Sequence, residues 1–141
     1  MYKLKTSASF DSAHFLKGYN GKCANIHGHR WVIEVAAAQE KLVENGEKRG
    51  MVIDFCDLKK AVRAIADRFD HTLIYETGSL RKATVAALEA ESFSLKQVPF
   101  RPTAENFARY FDHQLLSDGL PVSSVTVYET PDNCAAYEET R

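Results

Sequence analysis

The sequence predicts an α+β fold in which a four-stranded antiparallel sheet carries its helices on one face. Stretches with the period of two that is typical of half-buried strands lie near both ends of the chain. Stretches with helical periodicity lie between them. The predicted order is β-β-α-(α)-α-β-β, which reduces to ββααββ when the weak middle helix is left out. Because no linker, repeat or low-complexity tract interrupts this pattern, we expect one domain over residues 1–141.

Two strands open the chain. Residues 2–10 alternate between apolar and polar side chains, which predicts a strand with one face on the core. After a glycine-containing loop, the stretch from His27 to about Ala38 is rich in Trp, Val and Ile and predicts a second, longer strand. We expect the two strands to pair. His14, just beyond the first strand, would then lie near the start of the second.

The first helix is predicted to begin after Asp54, a suitable N-cap, and to end near Arg68. Its apolar residues recur at helical spacing, at Phe55, Leu58, Val62, Ile65 and Phe69. A weaker helical pattern covers about residues 81–91.

A second strong helix is predicted to follow Thr103, which can cap it, and to stop at Gly119 and Pro121. Its apolar stripe consists of Phe107, Ala108, Phe111, Leu115 and Leu116. Two further strands are predicted at 122–130 and at about 134–138, separated by a turn. The first of these places Val125, Val127 and Glu129 on one face.

Charge and hydropathy exclude several classes of partner. With 18 basic and 19 acidic side chains the formal net charge is -1, so no electrostatic footprint for nucleic acid or an anionic membrane is expected. The first residues lack the apolar core of a signal peptide, and the longest apolar stretch, 31–38, is far too short to span a bilayer. We therefore expect a soluble, cytoplasmic protein.

Three cysteines at scattered positions do not form a disulfide framework and indicate a reducing compartment. Cys56 and Cys134 are predicted to be small buried hydrophobic residues. The predicted sheet also has two free edges and a face that the helices do not cover. Association of subunits would cover them, so we expect a homo-oligomer.

The stretch CANIHGH, residues 23–29, contains a cysteine and two histidines. His27 and His29 are two apart on a strand, so their imidazoles point the same way, and His14 is the candidate third ligand. Three neutral imidazoles form a known catalytic zinc set, although an H-x-H pair alone is weak evidence and is more often a pair of surface or hydrogen-bonded core histidines. Cys23 has two open roles: a fourth ligand that closes the site, or a base or nucleophile beside the metal.

Two further positions are candidates for chemistry. Asp70 and His71 close the first helix, where His71 either takes part in proton transfer or interacts with the helix dipole. Glu129 is a carboxylate on an otherwise apolar strand face. It either reaches solvent at the strand end or accepts two hydrogen bonds from a ligand with adjacent N–H donors, such as the guanidine-like edge of a heterocycle.

Taken together, the motifs FDSAH, C-x-x-x-HGH, GMVIDFCDLK, FDHTLI, PTAENFA and VYETP occur in an order that resembles the 6-pyruvoyl-tetrahydropterin synthase and 6-carboxytetrahydropterin synthase family. The resemblance covers nearly the whole chain. It implies the tunnelling fold (T-fold), in which the sheets of several subunits join into a barrel, as trimers that stack into hexamers. The insertion at about 77–100 is expected at the periphery.

The resemblance also implies roles for the candidate residues. His14, His27 and His29 would bind Zn²⁺, and Cys23 would be the proton-abstracting base. Asp70 and His71 would form a proton relay contributed by a neighbouring subunit. Glu129 would anchor a pterin ring with Thr103 close to it, and Lys22 would hold the anionic tail of the substrate.

The implied substrate is 7,8-dihydroneopterin triphosphate. The spacing of C-x-x-x-HGH is most similar to the bacterial carboxy enzymes of queuosine (7-deazaguanine) biosynthesis, whose products are 6-carboxy-5,6,7,8-tetrahydropterin, acetaldehyde and triphosphate. Two alternatives stay open: a pyruvoyl enzyme that retains the side chain, and a zinc-stabilised protein that binds a pterin without converting it. Residues 24–26 contain no glutamate, which disfavours the branch that makes a folate precursor.

Overall fold

The computed structural model describes all 141 residues as one mixed sheet with helices packed against it. The strands are β1 Tyr2–His14, β2 His27–Gln39, β3 Thr72–Glu76, β4 Leu95–Val98, β5 Val122–Thr130 and β6 Asn133–Tyr137. The helices are α1 Phe55–Phe69, α2 Lys82–Ala90 and α3 Ala104–Ser117. None of the three helices combines the length and hydrophobicity that crossing a bilayer requires.

The sheet has six strands in the order β4-β3-β1-β2-β5-β6, so the prediction of four strands is corrected. The β2, β5 and β6 pairings are antiparallel as expected, but β3 runs parallel to both β1 and β4. The two additional strands have only five and four residues, which is too short for alternation to be recognised. The insertion at 77–100 supplies α2, which has no buried residue, and the edge strand β4.

The β1–β2 hairpin is the longest ladder in the sheet. It runs in register from Tyr2 opposite Gln39 to His14 opposite His27. β1 is therefore longer than the predicted 2–10, and His14 is its last residue rather than a loop residue. The alternation continues through Ser12 and His14, which are both buried, but their polarity hides the pattern in the sequence.

An aromatic cluster on one face of the sheet forms the core against α1 and α3. Its five rings are at most 1% exposed and belong to Phe10, Trp31, Phe69, Phe107 and Phe111. Burial of each ring stabilises the fold by about 1.5–3 kcal/mol relative to exposure. Along β1 and β2 the same face ends in polar side chains, at Ser12 and His14 on one strand and His27 and His29 on the other.

Both predicted N-caps are formed. The Asp54 carboxylate accepts a hydrogen bond from the Cys56 amide at 2.8 Å, and the Thr103 hydroxyl accepts one from the Asn106 amide at 3.3 Å. Cys56 and Cys134, in contrast, are exposed free thiols, so the prediction that they are buried was wrong. Cys56 lies off the apolar stripe of α1, and Cys134 lies on the edge strand β6 opposite Tyr128.

A buried acid on α3 was not predicted. The Asp112 side chain is fully buried (0% exposed), and one of its oxygens accepts a hydrogen bond from Arg141 while the other has no partner. Arg141 also donates to the carbonyl of Val122 at 3.0 Å, which ties residues beyond β6 to the start of β5. Burial raises the pKa of Asp112, and the positive charge of Arg141 opposes that rise.

Arg141→Ala leaves the Asp112 carboxyl buried without its cation. We expect the free energy of unfolding to fall by about 1–3 kcal/mol at neutral pH. This loss of stability should shrink as the pH is lowered toward the ordinary Asp range. The pKa of Asp112 is higher in the folded protein than in the unfolded chain, so at lower pH the folded protein holds a proton on Asp112 that neutralises the buried carboxyl. Urea denaturation at pH 7 and pH 5 measures both effects. The control is Arg109→Ala, at an exposed position of α3, the helix that carries Asp112. An equal loss of stability in both variants would contradict the prediction.

Candidate metal centre and substrate cavity

Pairing of β1 with β2 brings three histidines together. His14 lies directly opposite His27, and Ser12 lies directly opposite His29, so all three imidazoles project from the core face at one end of the hairpin. The ring centroids are 4.6 Å apart for His14 and His27, 5.1 Å for His14 and His29, and 4.9 Å for His27 and His29. One nitrogen from each ring lies within 4.8 Å of the others. This is the cluster that the H-x-H pattern and His14 predicted.

Backbone carbonyls set the tautomers of two of these rings. Nδ1 of His14 lies 2.7 Å from the carbonyl oxygen of Pro102, and Nδ1 of His27 lies 2.7 Å from that of Asn25. A carbonyl only accepts, so each Nδ1 carries the proton and the neutral rings present lone pairs at Nε2. The two Nε2 atoms face each other at 3.1 Å. Two lone pairs at this distance are stabilised by a cation between them.

The environment disfavours a proton as that cation. Burial, with smaller contributions from the other two histidines, lowers the pKa of His14 to about 4, although the Pro102 carbonyl opposes the shift. Burial also lowers the pKa of His29, while the charge of Glu129 opposes it. Both rings are therefore neutral at physiological pH, which is the protonation state a metal ion requires. The donor set fits a three-histidine zinc site with an open fourth position.

Glu129 lies next to this cluster. Its side chain is on the face of Val125 and Val127, as predicted, and one carboxylate oxygen is 3.8 Å from Nε2 of His14. The pairing of β5 with β6 shifts register between Tyr128 and Thr130, and such irregularities redirect a side chain at a functional position. The carboxylate is about one-third exposed and makes no hydrogen bond within the chain, so it is available to a ligand.

A cavity of about 370 Å³ contains Glu129 and Thr103. Arg101 and Glu105 also line it, together with Cys134 of β6. Thr103 is the N-cap of α3, so the cavity lies between the beginning of that helix and the end of β5. The structure thus brings Thr103 and Glu129 together, as the resemblance implied.

Cys23 lies in the middle of a short 3-10 turn, Lys22–Ala24, in the loop between β1 and β2. Its thiol is exposed, and its carbonyl accepts a hydrogen bond from the Leu16 amide at 2.8 Å. Its sulfur does not join the group of three histidine nitrogens. The chain therefore builds an open three-ligand cluster rather than a closed four-ligand one. Lys22 is exposed and forms no ion pair in the chain.

Asp70 and His71 follow α1 directly, and Asp70 is its C-cap. Nδ1 of His71 is 2.8 Å from one Asp70 oxygen, and the other oxygen accepts a hydrogen bond from the Asp11 amide at 2.8 Å. The His71 amide donates back to the Asp11 carbonyl, and Arg30 binds the Asp11 carboxylate through two nitrogens at 2.9 and 3.1 Å. His71 adopts a left-handed backbone conformation with φ of 56°. Its ring thus contacts a carboxylate rather than the helix terminus.

The structure does not bring Asp70 and His71 into the cavity that contains Glu129. The His71 side chain is 79% exposed and lines a separate open depression with Ile26 and Phe93.

Two groups that contact the histidine cluster were not predicted from the sequence, namely the carbonyls of Pro102 and Asn25. No sequence signal marks them, because every residue has a backbone carbonyl.

The contacts of Asp70 predict how its carboxyl titrates. The Asp11 amide is the largest cause of its lowered pKa, and the hydrogen bond to His71 is the next. In His71→Ala the pKa of Asp70 should therefore rise but stay below the ordinary Asp value. Carbon-detected NMR titration of the Asp70 carboxyl measures it. Arg30→Ala removes a more distant charge and also the cation bound to the Asp11 carboxylate. Because Arg30 is the smallest cause of the lowered pKa of Asp70, this variant should shift that pKa less, and the opposite order would contradict these contacts.

The fold and site define a class: an α+β protein whose hairpin presents three imidazoles beside a cavity with a free carboxylate. The chain belongs to the 6-pyruvoyl tetrahydropterin synthase family, whose sequence model matches residues 3–140. A curated 6-carboxy-5,6,7,8-tetrahydropterin synthase from Haemophilus influenzae is 40% identical over 99% of this chain and 100% of its own length. One of the same name from Rickettsia felis is 32% identical over 95% of this chain and 97% of its own length.

Solved structures agree with this fold. An uncharacterized protein from Wolinella succinogenes superimposes with a TM-score of 0.79 at 22% identity, covering 99% of this chain and 98% of its own. The 6-pyruvoyl tetrahydropterin synthase of Caenorhabditis elegans gives a TM-score of 0.67 at 26% identity, covering 99% and 96%. The predicted T-fold is confirmed, with six strands in place of four.

Proposed function

We propose that this protein is a zinc-dependent carbon–carbon lyase that converts 7,8-dihydroneopterin triphosphate and water to 6-carboxy-5,6,7,8-tetrahydropterin, acetaldehyde and triphosphate. The observation that carries the proposal is the convergence of three imidazoles beside the cavity that contains Glu129. The name of the Haemophilus influenzae relative, which matches this chain over its whole length, supports the choice of product. The reaction belongs to 7-deazaguanine (queuosine) biosynthesis.

The Glu129 cavity suits the ring of a pterin. A carboxylate accepts two parallel hydrogen bonds from an amino group and an adjacent ring N–H, and the 2-amino group and N3–H of a pterin provide that pair. Because a Glu129 oxygen is 3.8 Å from His14, a ring bound there has its side chain close to the histidine cluster. Thr103 borders the same cavity from the start of α3. We assign Glu129 and Thr103 to substrate binding.

His14, His27 and His29 would hold Zn²⁺, which supplies Lewis acidity that makes protons on and beside the substrate's side-chain hydroxyls easier to remove. The Pro102 and Asn25 carbonyls keep two of these ligands in the correct tautomer. Cys23 acts as the base that takes a proton from the carbon next to the ring. Lys22, its exposed neighbour, holds the triphosphate.

Asp70 and His71 complete the site from another subunit. Asp70 orients the His71 ring through the 2.8 Å contact, and the exposed imidazole exchanges protons along the substrate side chain. His71 lies outside the Glu129 cavity of its own chain, which supports a contribution of His71 to the cavity of a neighbour. On the β1 face opposite the core, the side chains of Ser7 and Ser9 are exposed, which suits a homo-oligomer, a trimer or a hexamer, with joined sheets. The free thiols suit a cytoplasmic protein.

The second candidate is a 6-pyruvoyl-tetrahydropterin synthase, which eliminates triphosphate and retains the three-carbon side chain. The description of the matched family and the Caenorhabditis elegans structure favour it. A protein that binds a pterin without converting it is less favoured, because Cys23 lies outside the histidine group and the Asp70–His71 pair serves no binding purpose.

Incubation of zinc-loaded protein with 7,8-dihydroneopterin triphosphate, followed by mass spectrometry of the products, tests the proposal. We expect 6-carboxy-5,6,7,8-tetrahydropterin and acetaldehyde in equal amounts. A product that keeps all three side-chain carbons would establish the pyruvoyl reaction instead. Unchanged substrate would leave the binding protein as the remaining reading.

Single substitutions separate metal binding from proton transfer. Cys23→Ala should keep zinc and the assembled oligomer and lose activity by about 100-fold or more, as expected for removal of a catalytic base. His27→Ala should lose zinc together with activity, because two imidazoles remain. Elemental analysis and a product assay measure these outcomes. Cys56→Ala, at an exposed thiol of α1, should retain both, and loss of zinc in Cys23→Ala would contradict the base role.

A further inference from the structure

The loop between β1 and β2 carries Cys23, and its first residue, Phe15, is buried. Hydrogen bonds within the loop join the Leu16 amide to the Cys23 carbonyl at 2.8 Å and the Tyr19 amide to the Leu16 carbonyl at 3.2 Å, and two more backbone bonds close the turn around Cys23. One side chain from outside the hairpin forms a hydrogen bond with the loop, and it belongs to Arg101. Arg101 thus links the loop that carries Cys23 to another part of the fold.

Arg101 makes two contacts with the loop. One terminal nitrogen donates to the carbonyl of Lys17 at 3.2 Å, across 84 residues of sequence. The guanidinium also lies over the Tyr19 ring, 6.0 Å from its centroid, which is within the range of a cation–π interaction. Tyr19 is about half exposed, so this contact is one of the few that hold its ring.

The Tyr19 ring is in turn linked to the backbone beside Cys23. A Cβ atom placed on Gly21 would lie 2.7 Å from Cε1 of Tyr19, so the ring is packed directly against the glycine backbone. Gly21 immediately precedes the turn Lys22–Ala24. A movement of the ring consequently moves the segment that carries the Cys23 thiol.

The backbone of Arg101 is held next to the histidine cluster. Its carbonyl accepts hydrogen bonds from the Thr103 amide at 2.7 Å and from the Asn106 side chain at 2.9 Å. The next residue, Pro102, binds His14 through its carbonyl, and Thr103 caps α3. A series of contacts thus connects His14, through Pro102 and Arg101, with the loop that carries Cys23.

We propose that Arg101 is a positioning residue that fixes the Cys23 loop relative to the histidine cluster. The proposal rests on the proposed role of Cys23 as the base. The positioning role requires an arginine. A planar guanidinium can lie over an aromatic ring and donate a hydrogen bond from its own edge at the same time, whereas a lysine ammonium cannot. A competing role exists, since Arg101 also lines the Glu129 cavity and its positive charge could bind an anionic part of the substrate.

The first test needs no substrate. Arg101→Ala and Arg101→Lys are compared with wild type by amide hydrogen exchange of residues 16–24 and by the rate of iodoacetamide alkylation at Cys23, followed by peptide mass spectrometry. In both variants we expect exchange in this loop to be faster by roughly five-fold or more, and the alkylation rate of Cys23 to change by a similar factor, from the loss of one hydrogen bond and one cation–π contact. Alkylation of Cys56 on α1 is the internal control and should not change. Unchanged exchange and alkylation would overturn the proposal.

The second test separates positioning from substrate binding. With zinc content unchanged, both variants should lose kcat by about ten-fold or more while KM changes little. Arg109→Ala is the matched control for loss of an arginine. Full activity in Arg101→Lys, or an effect confined to KM, would assign Arg101 to substrate binding and overturn the proposal. If wild type shows no turnover, the proposed function fails, whereas the exchange and alkylation results still decide the role of Arg101 in the loop.

Discussion

The in-register pairing of β1 with β2 is the constraint on which the site depends. It sets His14 directly opposite His27 and Ser12 directly opposite His29. Because side chains alternate between the faces of a strand, a slip by one residue would move the histidines of one strand to the opposite face and separate the cluster. The register is held by the same strands further along, where Phe10 and Trp31 form part of the aromatic core with α1 and α3. The same β1–β2 pairing therefore positions both the aromatic core and the histidine cluster.

The cluster also depends on α3. Burial keeps His14 neutral, and the carbonyl of Pro102, immediately before the N-cap of α3, determines which of its nitrogens faces the other histidines. The same short segment supplies Arg101 to the Cys23 loop and Thr103 to the Glu129 cavity. Three consecutive residues therefore contact the metal centre, the thiol loop and the substrate cavity. A displacement of the beginning of α3 would disturb all three parts together.

The proposed catalytic groups are divided between two places on the chain. The histidine cluster and Glu129 share one side, while the Asp70–His71 pair lies in a separate depression, fixed by Asp11 and Arg30. This division gives a functional reason for association of subunits, which the exposed β1 face alone does not provide. In the proposed mechanism, an isolated chain would lack the relay.

The sequence by itself determined the hairpin, both capped helices, the last two strands and the face that carries Glu129, because alternation, helical periodicity and capping residues are local signals. It also identified the three histidines, since two of them share a strand face and the third lies near the same end of the hairpin. It did not reveal β3 and β4, whose few residues carry too little periodicity, and it placed Cys56 and Cys134 in the core although neither lies on an apolar face. Only the tertiary structure decided which carbonyls fix the histidine tautomers, that Arg101 reaches the Cys23 loop, and that His71 lies apart from Glu129. Those relationships join residues distant in sequence through backbone atoms and loop contacts, and no local pattern of side chains encodes them.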